Sequence, residues 1–431
     1  MNKIKYDRSK KIFGLLFSLL CFLLNSVRAN DVLAIRVGTL LKGNGEVLRN
    51  ALILIRDGRI DYAGPAYPLA KGIETLEFQE GVATPGFIAA NAYFRLPRET
   101  QEKELFSYED YSNIKKFKVL GLNEERSEST PEMNLLFSID PRADDFEKAW
   151  RSGVTCIYLA PGNLNVINGT GTVLKTRGNS PLEMLVKNQV QIKVTFGHEP
   201  AAGQGQRNPV GLRYRRPENR MGVTQIFRSA LTNLQNKSLV PDFELNPQEL
   251  LFRKVLKGEI PLRIRARSYL DIQAALRMMD EFGFRWILEE GVDAYKYMDQ
   301  LKERNIPVIY GPVYRARGRA DFNAEQDHYL AKTPVLLASR GVTFAFQNGN
   351  ESPINGLRDE AIAAVGLGLD RNQALKALTL NAARILGIEN RLGTIEMGKD
   401  ADLLIFNGDP FEPSSRLTQV IINGRIQDPN Q

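Results

Sequence analysis

The spacing of apolar residues changes twice along this chain. From Asp31 to about Thr84 they fall in short runs and alternations bounded by turn residues, the pattern of strands. In ALILIRDGRIDYAG, residues 51–64, Asp57-Gly58 separates two apolar-rich runs. A tight hairpin turn needs positive φ angles, which Asp and Gly tolerate. The C-terminal end reads the same way: ADLLIFNGDP (401–410) and QVIINGRI (419–426) are strands broken at Asn-Gly pairs. Two β-rich ends around a long middle predict one small β-sandwich domain, 31–84 plus 394–427, assembled from both ends of the chain.

The middle, 85–393, alternates strand and helix. IYLA (157–160), WILEE (286–290), PVIYGP (307–312) and VTFAFQ (342–347) are strand candidates, and DIQAALRMMDEF (271–282) and AYKYMDQLKERN (294–305) are helical runs. Such alternation implies parallel strands joined by crossover helices. A (β/α)8 barrel is the economical arrangement, with a doubly wound open sheet as the alternative. DRNQALKALTLNAARILG (370–387) predicts one helix, with Asp370 and Gln373 spaced as a capping box and Gly387 as its stop. Residues 98–133 and the Gly-, Pro- and Arg-rich 200–222 fit no element. On a barrel such insertions lie over one face, as ligand-binding or plain surface loops.

Composition changes the picture mainly through residues 1–29. A lysine-rich start, an apolar run from Ile12 to Leu24 and then Val27-Arg28-Ala29 predict a secretory signal peptide, the run being too short for a membrane span. The whole chain carries +7, but without this segment 51 basic face 49 acidic residues. The basicity is therefore mostly the export signal, and nothing in it argues for nucleic acid or a membrane surface. Cys156 would be the single cysteine left, so no internal disulfide is expected in an oxidising destination. No later stretch is long and apolar enough to cross a bilayer. The expected location is the bacterial periplasm or outside the cell.

Two motifs carry a family resemblance. TPGFIAANAYF (84–94) and, three hundred residues later, ALTLNAARILGIENRLGTIEMGKDADLLIFNGDPF (377–411) resemble the amidohydrolase superfamily, specifically secreted relatives of imidazolonepropionase. The resemblance covers nearly the whole chain after the signal segment. It implies hydrolysis of non-peptide carbon-nitrogen bonds at one or two divalent metals in the mouth of the barrel. In that family the strand after Pro-Gly-Phe-Ile carries His-x-His; here those positions are Asn91 and Tyr93. The strand-five histidine position falls in LRIRARS, where Arg265 and Arg267 stand in the His-x-His places. The strand-six histidine falls at Glu290, and the strand-eight aspartate at Gln347 or, with a slip of one, Asn348.

These replacements are poor metal chemistry. An amide oxygen and a neutral phenol are weak ligands, and a guanidinium has no lone pair to give. The chain holds two histidines, His198 and His328, so a site needing three is arithmetically excluded. His198, beside Glu199, lies near the region of the family's bridging ligand.

Three readings follow. The first is a catalytically inactive barrel, without cofactor, kept as partner of an active amidohydrolase paralogue, as a homo-oligomer or as a ligand binder. The second is metal-independent hydrolysis by a cluster of Arg265, Arg267, Glu289, Glu290, His198 and Glu199, with a carboxylate as base and an arginine stabilising an oxyanion. The third is a small anionic ligand held over the mouth by Arg213, Arg215, Arg216 and Arg220 with Arg315, Arg317 and Arg319. Strand neighbours point to opposite faces, so only one of Glu289 and Glu290 is expected inside. Arg265 is expected to pair with Glu290, each neutralising the other.

Overall fold

The computed structural model describes residues 32–92, 127–197, 199–202, 216–239, 244–313, 329–347 and 356–427. The signal-like segment 1–29, Tyr93, His198, Asn348, Arg213, Arg215, Arg315, Arg317 and Arg319 lie outside them, as do much of 98–133 and 200–222. Among the described residues no helix is long and apolar enough to cross a membrane.

In chain order the strands are β1 (Val32–Leu41), β2 (Val47–Arg56), β3 (Arg59–Pro65), β4 (Glu74–Pro85), β5 (Phe87–Ala89), β6 (Val154–Leu159), β7 (Ile167–Thr170), β8 (Thr172–Lys175) and β9 (Leu185–Lys187). There follow β10 (Ile192–Thr195), β11 (Leu262–Arg265), β12 (Trp286–Glu289), β13 (Val308–Tyr310), β14 (Phe344–Phe346), β15 (Leu403–Phe406), β16 (Leu417–Ile422) and β17 (Arg425–Gln427). They form three sheets, ordered β17-β16-β15-β4-β1-β2-β3, β14-β13-β12-β11-β10-β7 and β5-β6-β8-β9.

The first sheet takes strands from both ends of the chain: β15 runs antiparallel to β4, with Leu403 opposite Pro85. Asp57 (φ 49°) and Gly58 (φ 76°) turn β2 into β3, as their positive φ requires. Asn423 and Gly424 do the same between β16 and β17, at φ 50° and 73°. At Pro85-Gly86-Phe87 the chain leaves this sheet and enters the third. Gly86 is needed there because a Cβ would fall 2.1 Å from Thr155 Oγ1, and its N–H donates to the Asp402 carbonyl at 2.9 Å.

Strands β10 to β14 run parallel, with helices in every crossover, such as Tyr269–Phe282 between β11 and β12. They are buried on both faces, as parallel strands between layers are. Ile192, Val194, Leu262, Ile264 and Leu288 face the helices and pack with Ile272, Leu276 and Leu337. The alternate positions face a second cluster containing Ile88, Tyr158, Ile287, Ile309 and Ala345. Lys193, Arg263, Arg265 and Glu289 belong to that second face, because Lys193 is the register partner of Arg263, Arg263 of Ile287, and Arg265 of Glu289.

Two helical expectations are corrected. Residues 370–387 form two helices, Arg371–Leu378 and Leu380–Leu386, broken at Thr379 (φ −132°, ψ −90°). The Gly393 backbone packs against the break so closely that a Cβ on Gly393 would sit 3.1 Å or less from atoms of Thr379, Leu380 and Ala383. Asp370 caps the first helix by accepting the Gln373 N–H at 3.0 Å, and Gly387 (φ 64°) stops the second. Residues 294–305 likewise split into a 3-10 turn, Ala294–Lys296, and a helix, Met298–Glu303. Tyr297 interrupts them at φ −122°, ψ 17°, outside the helical region, and its hydroxyl donates to the Tyr269 carbonyl at 3.1 Å.

The run Gly398 to Leu403 forms its turn and strand, and it also carries a buried charge network. Lys175, at the end of β8 and 2% exposed, places Nζ 2.8 Å from Asp402 Oδ1 and 3.2 Å from Asp400 Oδ2. Arg391 Nη2 donates to Asp400 Oδ2 at 2.8 Å, and Asp402 Oδ1 accepts the Asn423 N–H at 2.9 Å. Burial works to raise the Asp400 pKa, but Lys175 and Arg391 outweigh it and hold the carboxyl below its ordinary value. The two acids of the motif thus pin the first sheet to the third. Lys175→Met leaves buried Asp402 without a cation, while Asp400 keeps Arg391, and the expected loss in unfolding free energy is about 3–5 kcal/mol, read by urea denaturation. A loss below about 1 kcal/mol, the level of an exposed pair, would show that the network does not hold the sheets together.

Candidate functional site

Charge enters the strand-built core in two layers. The inner one centres on Glu289, which is completely buried. One carboxylate oxygen pairs with Lys193 Nζ and the other with Arg263 Nε. The rest of the Arg263 guanidinium is also occupied: Nη1 donates to Gln191 Oε1 at 2.9 Å and Nη2 to the Ala90 carbonyl at 2.6 Å. Its Cζ stands 4.1 Å over the Tyr158 ring, a cation–π contact strengthened by the burial of both groups. Burial alone would raise the Glu289 pKa, but the two cations outweigh it and bring it down to about 2. Burial pushes the Tyr158 hydroxyl above its ordinary value and the Cys156 thiol up to about 12, so neither ionises near neutrality.

The outer layer lies at the strand ends. Arg265 Nε donates to Glu290 Oε2 at 2.9 Å, Nη2 lies 2.6 Å from the same oxygen, and Nη1 pairs with Glu199. Arg267 Nη1 stands 3.7 Å from Glu290 Oε2 and is about a quarter exposed. Burial works to raise the Glu290 pKa, but Arg265 and Arg267 prevail and lower it. Asn91, just after β5, donates from Nδ2 to Gln347 Oε1 at 3.0 Å, just after β14. Gln347 Nε2 then donates to the Gly311 carbonyl at 3.2 Å. Arg220 stands apart from this layer, with Nε on Asp271 Oδ1 at 2.8 Å.

The structure therefore brings Asn91 and Gln347 together, and Arg265, Arg267, Glu290 and Glu199 together. The expected Arg265–Glu290 pair forms. The expectation that only one of Glu289 and Glu290 lies inside is overturned: both are buried. Glu290 has φ 56°, a left-handed conformation costly for a glutamate. It ends the strict alternation of the strand and turns the side chain back toward Arg265. Sequence reasoning missed Lys193, Arg263 and Gln191. Their signal was present in QIKVT and LRIR, where polar or charged residues alternate with apolar ones in strands that burial makes hydrophobic on both faces.

As a metal site the described residues offer little. Asn91 and Gln347 bond to each other, Arg265 brings a positive charge, and the carboxylates of Glu199 and Glu290 are engaged by it. Among the described residues no group of three or more His, Cys, Asp or Glu is arranged to hold a metal ion.

The inner layer has a pH signature. Because the Glu289 pKa falls from 4.5 to about 2 on folding, its pairing contributes fully above pH 4.5 and is lost as pH falls toward 2. The difference in unfolding free energy between the wild type and Glu289→Gln should therefore narrow across that window, in denaturant titrations at stepped pH. A constant difference would mean that Glu289 is not ionised in the fold.

Residues 300–427 match the model of the Amidohydrolase family. Amidohydrolase tasK of Hapsidospora irregularis is 24% identical over 325 residues, 68% of this chain and 32% of that protein. An imidazolonepropionase of Maricaulis maris is 37% identical over 195 residues, 42% of this chain and 44% of that protein. The chain thus spans less than half the length of either relative. Among solved structures, an amidohydrolase from Thermotoga maritima superposes with a TM-score of 0.78 at 28% identity, covering 91% of this chain and 99% of that one.

Proposed function

Because the chain belongs to the amidohydrolase superfamily, we propose that it keeps the family scaffold, a closed (β/α)8 barrel with a small β-sandwich domain, as an exported protein without metal-dependent hydrolase activity. Its role is that of a partner subunit, beside an active amidohydrolase or a second copy of itself, or of a ligand binder. The barrel reading is supported by the contact of β5 with the helices that follow β14 and by the Asn91–Gln347 hydrogen bond between those two strand ends. It is supported as well by the TM-score to the Thermotoga maritima amidohydrolase.

One observation carries the functional reading: Arg265, at the position where the resemblance expects a metal-binding histidine, is bonded to both Glu290 and Glu199. A guanidinium repels a divalent cation and offers it no lone pair. With Arg267, two cations meet two carboxylates, so the described mouth is close to neutral. That balance favours a retained scaffold over a strong anion site; Arg216 and Arg220 are paired with Glu128 and Asp271, and Arg213, Arg215, Arg315, Arg317 and Arg319 lie outside the described residues.

Metal-independent hydrolysis is the alternative, favoured by the partial exposure of Arg267 and Glu199 at the mouth. Against it, Glu290 is held below its ordinary pKa, which weakens it as a general base at neutral pH.

Isolation of the full chain from its native host tests the proposal in one preparation. Elemental analysis should find no stoichiometric zinc, nickel, iron or manganese. Gel filtration should show the chain with an amidohydrolase partner or as an oligomer, or, as a monomer, holding a small molecule detectable by mass spectrometry. A stoichiometric metal retained through gel filtration would overturn the metal-free reading. A ligand-free monomer that hydrolyses an amide, lactam or cyclic urea would replace the proposal with the alternative.

A further inference from the structure

A cavity of 560 Å³ opens at the opposite end of the parallel strands. Its wall includes Gln191, Pro261, Trp286 and Pro307, which precede or begin β10 to β13, whereas Arg265, Glu290 and Gln347 sit where strands end. The volume is that of a small-molecule site. It adjoins a depression of 200 Å³ that shares Arg384 and adds Lys302. Ile260, Pro261, Met279 and Pro307, all partly exposed, supply an apolar wall.

The charge of the lining is one-sided. Lys187, Arg285, Arg304 and Arg384 face a single acid, Glu259. Part of this has a structural cause. Helices end on this face with their carbonyls and negative dipole ends. Lys187 Nζ donates to the Gly387 carbonyl at 3.0 Å, and Arg285 Nη2 donates to the Gly258 carbonyl. Carbonyls satisfy donors without cancelling a full charge, so neither cation has a carboxylate partner among the described residues. Arg304 is neutralised by Asp280. Arg384, in the last turn of Leu380–Leu386, makes no ion pair or side-chain hydrogen bond to a described residue.

We propose that this cavity binds an organic anion with an apolar body, of the class of medium-chain carboxylates, its head on Arg384 and Arg285 and its chain against Ile260 and Met279. Guanidiniums with donors to spare match a carboxylate, and the apolar wall takes part of the tail out of water.

The test is calorimetric titration of the full chain with decanoate and with decanol. Decanoate should bind saturably at one site, about ten-fold more tightly than decanol, and the combined Arg285→Gln and Arg384→Gln change should remove about that ten-fold preference. Arg267→Gln, at the other end of the strands, should leave decanoate affinity unchanged. Absence of saturable binding, equal affinity for decanol, or a double variant with undiminished affinity would overturn the proposal. The decanoate and decanol comparison needs only the wild type, so a variant that fails to fold does not shelter the idea.

Discussion

Burying ions between strands sets the terms for the rest of this molecule. Each ion taken from water costs several kcal/mol even after relaxation, and Lys193, Arg263, Arg265, Glu289 and Glu290 are all nearly or fully buried. The structure bears that cost because every one of them meets an opposite charge. Their alignment is a matter of register: a slip of one residue between β11 and β12 would move Glu289 to the helix-facing apolar cluster and leave Lys193 and Arg263 without an anion. The same logic recurs where Lys175 meets Asp400 and Asp402, so buried charge specifies both the strand register inside and the joint between sheets.

How much of this could be read from the sequence follows from how local each cause is. Asp57-Gly58 and Asn423-Gly424 form turns because the φ requirement belongs to the residues themselves. The strands at 286–289, 308–310 and 344–346 were legible from short apolar runs. The break at Thr379 was not, since no Gly or Pro marks it between 371 and 386. The Arg265–Glu290 pair was legible once a resemblance put both at neighbouring positions. The turned-back Glu290 was not, because alternation holds only while the backbone stays extended. Lys193, Arg263 and Lys175 depend on partners 96, 26 and more than 200 positions away, and no local pattern names those.

Under the proposed function the two layers have different histories. The outer layer includes positions where the resemblance expects a metal, and its two guanidiniums and two carboxylates make a set close to neutral. The inner layer shields Glu289 completely and engages both its oxygens, leaving nothing to offer a substrate. Its role is structural: Arg263 reaches from Glu289 to Gln191, which itself donates to the Ile385 carbonyl and lines the cavity at the far end of the strands. A chain of hydrogen bonds thus runs from that cavity to the core beneath the mouth, through residues that a packed apolar interior would not need.

The mutual neutralisation of Arg265 and Glu290 is measured most directly by a double-mutant cycle. Arg265→Met should destabilise the fold by about 3–5 kcal/mol, because it leaves buried Glu290 only the longer contact with Arg267; Glu290→Leu should cost less, because Arg265 keeps Glu199, and the double variant should lose less than the sum of the two. Additive losses, or single losses within about 0.5 kcal/mol of zero, would contradict the claim that these two charges exist in the fold to cancel each other.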